Sequence, residues 1–166
     1  MGESGKSHES TKIYMFIGEF THTLDEKKRL SLPSKFRKDL GKTVIITHGL
    51  DSCLFMFTLS EWSNIAAKLG GLSMGNPDSR AFNRIMLAGA VEVEVDTAGR
   101  ILMPDFLKDY IGLPATGDKK ASQKLVFTGV HTRVEIWEET RWKAYKEKIL
   151  KQADDLASKL GEIGVI

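Results

Sequence analysis

The sequence predicts an α+β protein, mainly β, that is built from two copies of one unit with helices at its periphery. Three observations lead to this fold class. The chain contains an internal repeat, short segments with alternating apolar residues dominate both copies, and apolar residues at helical spacing run through the stretches that follow each copy. A period of 70 to 80 residues is too long for a solenoid repeat. We therefore expect a duplicated half-domain that pairs with itself about a pseudo-two-fold axis.

The repeat shows first as identities at an offset of 71 residues. Between residues 18–41 and 89–112, five of 24 positions are identical, where roughly one or two are expected from average residue usage. Six further aligned positions are apolar in both copies and keep the alternating period. The match resumes at an offset of 81, where residues 44–47 align with 125–128, and continues at an offset of 80, where Trp62 aligns with Trp142. The added residues fall at 114–124, which is predicted as a surface loop.

Both copies predict the same order of elements. In the first strand, Phe20, His22 and Leu24 alternate with residues of the opposite face. Pro33 favours the start of a short helix and Gly41 favours its end. The first copy is predicted as a strand at 18–24, a turn at 25–29, a strand at 30–32, a helix at 33–41 and a strand pair at 44–47 and 53–57. The second copy repeats this order at 91–95, 96–100, 101–103, 104–111, 125–128 and 134–137.

Five segments follow from this pattern. They are a disordered leader at 1–14, a first repeat at 15–61, linking helices at 62–89, a second repeat at 90–137, and a C-terminal helix with a tail at 138–166. In the linker, residues 78–89 carry apolar side chains at helical spacing, which predicts a helix that packs inward. Residues 138–160 predict one helix with an apolar face. That face needs a partner, either the rest of the chain or a neighbouring subunit.

Composition excludes several classes of protein. The 166 residues have 24 basic and 22 acidic side chains, a formal net charge of +2, and the balance of a folded globular domain. The longest unbroken apolar run is the five residues 53–57, so no membrane span is expected. The only cysteine, Cys53, cannot form an internal disulfide. A reducing cytoplasm fits this composition best.

No catalytic, metal or cofactor site is predicted. The four histidines are scattered and lack the spacing of metal ligands. His22 is expected to pack in the core, and Cys53 is expected to behave as a small buried hydrophobe. Glu92 and Glu94 are placed on the exposed face of a strand rather than as a converging acid pair. An enzyme with a small-molecule substrate is therefore disfavoured.

The strongest functional signal is a turn of the form D-x-x-x-R, which occurs once in each copy. It spans Asp25 to Arg29 in the first copy and Asp96 to Arg100 in the second. Each aspartate can accept backbone N–H groups of the turn and hold the guanidinium that follows. This leaves two interpretations open. The pair serves only to hold the hairpin together, or it orders the loop and presents the arginine to a phosphate or a guanine edge.

Charge around the two turns differs between the copies. Residues 19–42 carry a net charge of +3, and residues 90–112 carry −3. Lys27 and Lys28 belong to the basic copy. If nucleic acid binds, the first copy is expected to neutralise more phosphates, while the second contributes mainly Arg100. A basic stretch of this kind is also common on an ordinary solvated helix face.

These residues closely resemble the MraZ family of bacterial regulators. The resemblance is carried by residues 15–40 (MFIGEFTHTLDEKKRLSLPSKFRKDL), 49–62 (GLDSCLFMFTLSEW), 80–104 (RAFNRIMLAGAVEVEVDTAGRILMP) and 133–142 (RVEIWEETRW). It extends from about Met15 to at least Ile149. The family's usual first turn is D-x-K-G-R. Here Lys28 stands at the position of that glycine, whereas the second copy keeps Gly99.

The resemblance implies a fold, a function and an assembly. The fold is a duplicated swapped-hairpin unit of the SpoVT-AbrB type, which forms a double-split β-barrel. The function is transcriptional regulation of the division and cell wall gene cluster, through short direct repeats upstream of the protein's own operon. Similar proteins form rings, and their D-x-x-x-R arginines, here Arg29 and Arg100, contact DNA. A second class of function remains open, namely a non-catalytic adaptor ring that binds other proteins.

Overall fold

The computed structural model describes residues 15–113 and 123–166. The predicted leader at 1–14 and most of the predicted loop at 114–124 lie outside these ranges. The strands are β1 (Phe16–Thr23), β2 (Arg29–Ser31), β3 (Thr43–His48), β4 (Leu54–Thr58), β5 (Val91–Glu94), β6 (Arg100–Leu102), β7 (Lys124–His131) and β8 (Arg133–Glu138). The helices are α1 (Ser34–Leu40), α2 (Leu59–Gly70), α3 (Pro77–Asn83), α4 (Asp105–Tyr110), α5 (Glu139–Lys151) and α6 (Ala153–Glu162), and a π-helical turn spans Arg84–Ala88.

The strands of the two repeats are exchanged. Six antiparallel strands form one sheet in the order β1-β7-β8-β4-β3-β5, and β2 pairs with β6 as a separate two-stranded ribbon. The first strand of each repeat therefore pairs with the third strand of the other, β1 with β7 and β5 with β3. This confirms the α+β, mainly β class and the pairing of one half with the other. Closure of the sheet into a barrel stays a prediction.

The main core lies on one face of the six-stranded sheet, where the β2–β6 ribbon, α1 and α4 cover it. The alternating pattern of β1 directs Phe16 and Phe20 to this side, and both rings meet the edge of Phe36 from α1. At the centre of the ribbon, Leu30 and Ile101 face each other and are fully buried. Burial of these side chains fixes the ribbon against the sheet, since a shift of one residue would expose them.

The opposite face of the sheet, called here the outer face, is covered by α2 and α5. Each helix begins with a side-chain cap at aligned positions of the two repeats. Thr58 Oγ1 accepts the Glu61 N–H at the start of α2, and the Glu138 carboxylate accepts two backbone N–H groups at the start of α5. Trp62 then packs on Phe57, and Trp142 packs on Trp137. The aligned tryptophans thus have the same structural role.

Two helical predictions are wrong in part. Residues 78–89 do not form one inward-packing helix, because α3 changes into the π-helical turn at Arg84 and only Met86 is buried. Phe82 and Ile85 stay exposed. The predicted helix at 138–160 is broken at Gln152, whose φ and ψ of −104° and 6° leave the helical range. No helix in the described ranges is long and apolar enough to cross a membrane.

Candidate functional site

Each D-x-x-x-R turn is held by its aspartate. Asp25 Oδ1 accepts the backbone N–H groups of Lys27 and Arg29 at 2.8 and 2.9 Å, and Oδ2 accepts Arg29 Nε at 2.9 Å. The side chains of the pair are only about one third exposed, 38% for Asp25 and 35% for Arg29. One carboxylate therefore fixes both the backbone of the loop and the direction of the guanidinium.

The second turn repeats the first atom for atom. Asp96 Oδ1 accepts the N–H groups of Ala98 and Arg100, each at 2.9 Å, and Oδ2 accepts Arg100 Nε at 2.9 Å. The backbone N–H of Arg100 is the main cause of a lowered pKa for Asp96, and that of Arg29 has the same effect on Asp25. Both carboxylates are therefore charged, as the ion pairs require, well into the acidic range.

Positive φ angles complete the two turns. Gly99 has a φ of 76°, and Lys28 at the aligned position has a φ of 60°. A lysine pays a steric cost for this left-handed conformation that glycine avoids. Lys28 thus keeps the left-handed conformation of the usual glycine, and the steric cost falls on the lysine.

The ribbon brings the two arginines to one surface. Arg29 lies opposite Leu102 and Ser31 lies opposite Arg100, so these four side chains share the face that points away from the core. Leu102 is 59% exposed. Arg29 and Arg100 are diagonal neighbours, which lie about 7–8 Å apart in antiparallel pairs. We call this face the ribbon surface, defined by Arg29, Ser31, Arg100 and Leu102.

Each loop is braced by the other repeat. The Met103 N–H donates to Lys28 O at 2.8 Å, and the Leu32 N–H donates to Gly99 O at 2.9 Å. Lys28 Nζ also lies 2.8 Å from both carboxylate oxygens of Asp105, at the start of α4. These bonds hold the loops rigid relative to the ribbon.

Of the predicted site residues, the structure brings together Arg29, Arg100, Asp25, Asp96 and Lys28. Lys27 is exposed beside them and contributes its backbone N–H to the first turn. Sequence reasoning missed Leu102 and Ser31, whose exposure depends on the pairing of β2 with β6. It also missed Asp105, which lies 77 residues from Lys28. Burial of Ile101 implies that its neighbour Leu102 points the opposite way, to the surface. This inference requires that only one face of the strand is buried, which the sequence alone does not show.

The other candidate residues lie either inside the protein or on the exposed face of a strand. His22 is half-buried with its ring against the edge of Phe127, and desolvation lowers its pKa. Cys53 is buried and burial raises the pKa of its thiol. Glu92 and Glu94 are exposed on β5, as predicted. Within residues 15–113 and 123–166, no three His, Cys, Asp or Glu side chains are grouped as a metal site.

Comparison with known proteins also divides the chain into two similar halves. Residues 15–85 and 86–160 each match the profile of the family described as "MraZ protein, putative antitoxin-like". The chain belongs to the MraZ family. Proteins called "Transcriptional regulator MraZ" from Acetivibrio thermocellus and Caldicellulosiruptor saccharolyticus are 44% identical to it over 151 and 152 residues. A protein of the same name from Thermoanaerobacter sp. is 41% identical over 151 residues.

These alignments include 91% of the chain and the full length of each of the three relatives. The two profile matches meet between Ile85 and Met86, inside the π-helical turn. The chain is thus a member of a family of transcriptional regulators, and the duplication inferred from the sequence is a duplication of the MraZ unit. No enzyme family is indicated by these matches.

Proposed function

We propose that the chain is a sequence-specific DNA-binding regulator that contacts promoter DNA with its ribbon surface. The observation that carries this proposal is the placement of Arg29 and Arg100 on one exposed face, each fixed by a carboxylate. In both pairs the arginine donates its Nε–H to the carboxylate. The N–H donors on the two terminal nitrogens of the guanidinium are further groups that can bind DNA. An arginine that is held in this way has little freedom to lose when it binds.

A two-stranded ribbon has the right dimensions for the major groove of DNA, which is about 12 Å wide. Arginine pairs there with O6 and N7 of guanine. The diagonal separation of the two arginines, about 7–8 Å, corresponds to roughly two base-pair steps of about 3.4 Å each. Lys27 and Lys28 lie at the end of the ribbon, where they would meet phosphates. Lys28 would then exchange Asp105 for a phosphate group.

One copy of the chain offers few contacts for tight specific binding at physiological salt. We therefore propose a ring-shaped homo-oligomer that binds short direct repeats upstream of its own operon, in the division and cell wall gene cluster, at the nucleoid of the cytoplasm. Repeated subunits on repeated DNA elements add their contacts through a high effective concentration. The strand exchange further supports the closed swapped-hairpin barrel of the AbrB type.

The test is fluorescence anisotropy of labelled duplex DNA from upstream of the gene, beside a shuffled duplex, at two salt concentrations. The Arg29→Ala/Arg100→Ala variant is compared with Lys68→Ala/Lys148→Ala, which removes two exposed charges far along α2 and α5. We expect tight, salt-dependent binding of the native duplex that only the arginine variant loses while its circular dichroism is unchanged.

Equal affinity for both duplexes would mean that the ribbon surface binds DNA only as a basic patch, without sequence specificity. Absence of binding to either duplex by a correctly assembled oligomer would favour the adaptor ring. Altering the spacing between the direct repeats tests the assembly, since a ring with fixed subunit positions should lose affinity steeply.

A further inference from the structure

The outer face of the sheet differs between the two repeats around one aligned threonine. In the first repeat, Thr47 Oγ1 donates to Met86 O at 2.7 Å, so its hydroxyl is bonded. Thr128, the aligned residue of the second repeat, is only 5% exposed, and its Oγ1 has no hydrogen-bond partner among the described residues. A buried hydroxyl without a partner lowers stability, unless a bound molecule supplies the missing hydrogen bond.

Two carboxylates flank Thr128 on the same face of the sheet. Glu19 of β1 and Glu135 of β8 lie directly opposite Thr128 in its two strand pairs, so the three side chains form one row across the sheet. Neighbouring strands are about 4.8 Å apart, which places both acidic side chains next to the hydroxyl. The aligned positions of the first repeat are Ala90 and Phe55, which carry no charge. The acidic row is therefore a feature of the second repeat alone.

The acidic row lines a groove between the sheet and α5. The groove has a volume of about 490 Å³, which is within the range of small-molecule sites. Its apolar side, called here the aromatic wall, is formed by Val130, Trp137, Trp142, Tyr145 and Ile149. Within this wall, Trp137 stacks on Tyr145 with the ring centroids 5.0 Å apart. Aromatic rings of this kind attract organic cations electrostatically and pack against their carbon chains.

The lining of the groove carries more negative than positive charge. Its carboxylates belong to Glu19, Asp51 and Glu135, and Arg133 is the one cationic side chain among the lining residues. Lys146 of α5 adds a second cation, because its Nζ lies 2.8 Å from Glu19 Oε2. Three carboxylates against two cations leave one negative charge. Asp51 accounts for it, since its side chain forms no ion pair with the described residues.

Glu135 is nearly buried and keeps part of its capacity to accept hydrogen bonds. Its Oε1 accepts Nε and Nη2 of Arg133 at 3.0 and 2.8 Å, and its Oε2 accepts Trp137 Nε1 at 3.1 Å. A carboxylate has about four lone-pair sites, so one of them is left. Burial and the charges of Asp51 and Glu135 raise the pKa of Tyr145, which shows that both carboxylates act on the aromatic wall.

We infer that the groove binds a small primary amine, with the ammonium group at Thr128 and the carbon chain on the aromatic wall. An ammonium group has three N–H donors and no acceptor, and the row offers acceptors on Thr128, Glu19 and Glu135. Asp51 supplies the charge that a single cation balances. The inference goes beyond the proposed function and does not depend on it, because the groove is on the outer face and the β2–β6 ribbon covers the other face.

The test is isothermal titration calorimetry of the full-length protein with hexylamine at neutral pH. We expect saturable binding of one amine per chain, with an affinity that falls as salt is added. Two further probes separate the parts of the ligand. 1-Hexanol keeps the carbon chain without the charge, and hexyltrimethylammonium keeps the chain and the charge without N–H donors. We expect both to bind at least about tenfold more weakly than hexylamine.

Two variants locate the site. Thr128→Val removes only the hydroxyl, so we expect hexylamine to bind about three- to tenfold more weakly while the thermal stability of the free protein is kept or raised. Asp51→Asn removes the unpaired charge, so we expect a lower affinity that depends less on salt. The matched control is Glu92→Gln, an exposed carboxylate outside the groove, which should bind like the native chain. Circular dichroism checks that all three variants fold.

Several outcomes would overturn the inference. They are no saturable binding of hexylamine by the native chain, equal binding of 1-hexanol or of hexyltrimethylammonium, and native affinity in either groove variant. These outcomes leave the ribbon surface untouched, so specific DNA binding by the same preparation would keep the proposed function. A protein that binds hexylamine as expected but does not bind DNA would reject the proposed function alone.

Discussion

Lys28 of the first repeat and Asp105 of the second form an ion pair across the pseudo-two-fold axis, with Nζ 2.8 Å from both carboxylate oxygens. At the aligned position of the second loop, Gly99 faces Arg37. A Cβ on Gly99 would lie 2.6 Å from Arg37 Nε, which donates to Leu32 O. One loop thus combines a lysine with an acidic partner, and the other combines a glycine with an arginine.

Replacing Lys28 with glycine should change the free energy of unfolding by less than about 1 kcal/mol. Relief of the left-handed strain is worth about 1–2 kcal/mol. The greater entropy of glycine in the unfolded chain costs about 0.5–1 kcal/mol, and the ion pair with Asp105 is lost. Gly99→Lys should destabilise by about 2 kcal/mol or more, because it adds strain at a φ of 76° and displaces Arg37. Urea unfolding measures both.

Lys28→Ala is the control for this comparison. It keeps the positive φ but loses the ion pair, so it should be less stable than Lys28→Gly. Equal stability of Gly99→Lys and the native chain would contradict the account of the two loops.

The sequence alone predicts the features that depend on residues close together in the chain. Asp25 and Arg29 are four residues apart, and the carboxylate bonds follow from that spacing. The alternation in β1 is also local, which is why most strands could be predicted, and the helix predicted from residue 138 begins at Glu139. The repeat itself predicted that each element would occur twice.

Relationships between distant residues could not be predicted in the same way. Pairing of β2 with β6 places Leu102 next to Arg29, and the two residues are far apart in the chain. Apolar spacing in the linker was correct as a helical signal, but the change to a π-helical turn directs only Met86 to the sheet. The Met86 carbonyl accepts the Thr47 hydroxyl, which lies 39 residues away in the chain.

Acid should destabilise the protein through the two turns. The pKa values of Asp25 and Asp96 are lowered in the folded state, chiefly by the backbone N–H groups of Arg29 and Arg100. A depressed folded-state pKa contributes stability above the unfolded value of about 3.9, and this contribution is lost as the pH falls through the folded-state pKa. The melting temperature should fall gently below about pH 6.5, because the pKa of His22 is also lowered in the folded state, and should fall further below about pH 4 as the two turns lose their charged carboxylates.

The double variant Asp25→Asn/Asp96→Asn isolates this effect. Its deficit in melting temperature relative to the native chain should be largest near neutral pH and should shrink in acid, as the native carboxylates become protonated. Glu92→Gln, on the exposed side of β5, is the matched loss of a carboxylate and should follow the native curve. A deficit that is the same at every pH would show that the amide disturbs the turns for another reason.

Lysine should be unable to take over the function of arginine on the ribbon surface. Arg29→Lys/Arg100→Lys keeps both charges but loses the forked donors that recognise guanine. Under the proposed function, discrimination between native and shuffled duplex should fall by about 1–3 kcal/mol for each lost bidentate pair, while the dependence of affinity on salt stays close to native. Anisotropy titrations at several salt concentrations measure both quantities.

Lys27→Arg is the control in the reverse direction, from lysine to arginine. It alters a basic side chain beside the loop and should leave the discrimination between native and shuffled duplex unchanged. Native discrimination together with native salt dependence in the double lysine variant would mean that the arginines act only as charges on phosphate groups.

A single methyl group at Gly129 should test the strand exchange. Gly129 lies opposite Gly18 in the β1–β7 pair, and a Cβ there would collide with the backbone nitrogen of Ile17. Because backbone atoms cannot rotate aside, Gly129→Ala must displace β1 and should destabilise by about 1–3 kcal/mol. Gly70→Ala, at the end of α2 with no atom within 4 Å of the new Cβ, should instead stabilise by up to about 1 kcal/mol. Urea unfolding of both variants, with hydrogen exchange at Ile17 and its neighbours, decides the point: a Gly129→Ala chain as stable as the native one would mean that β1 does not lie on β7.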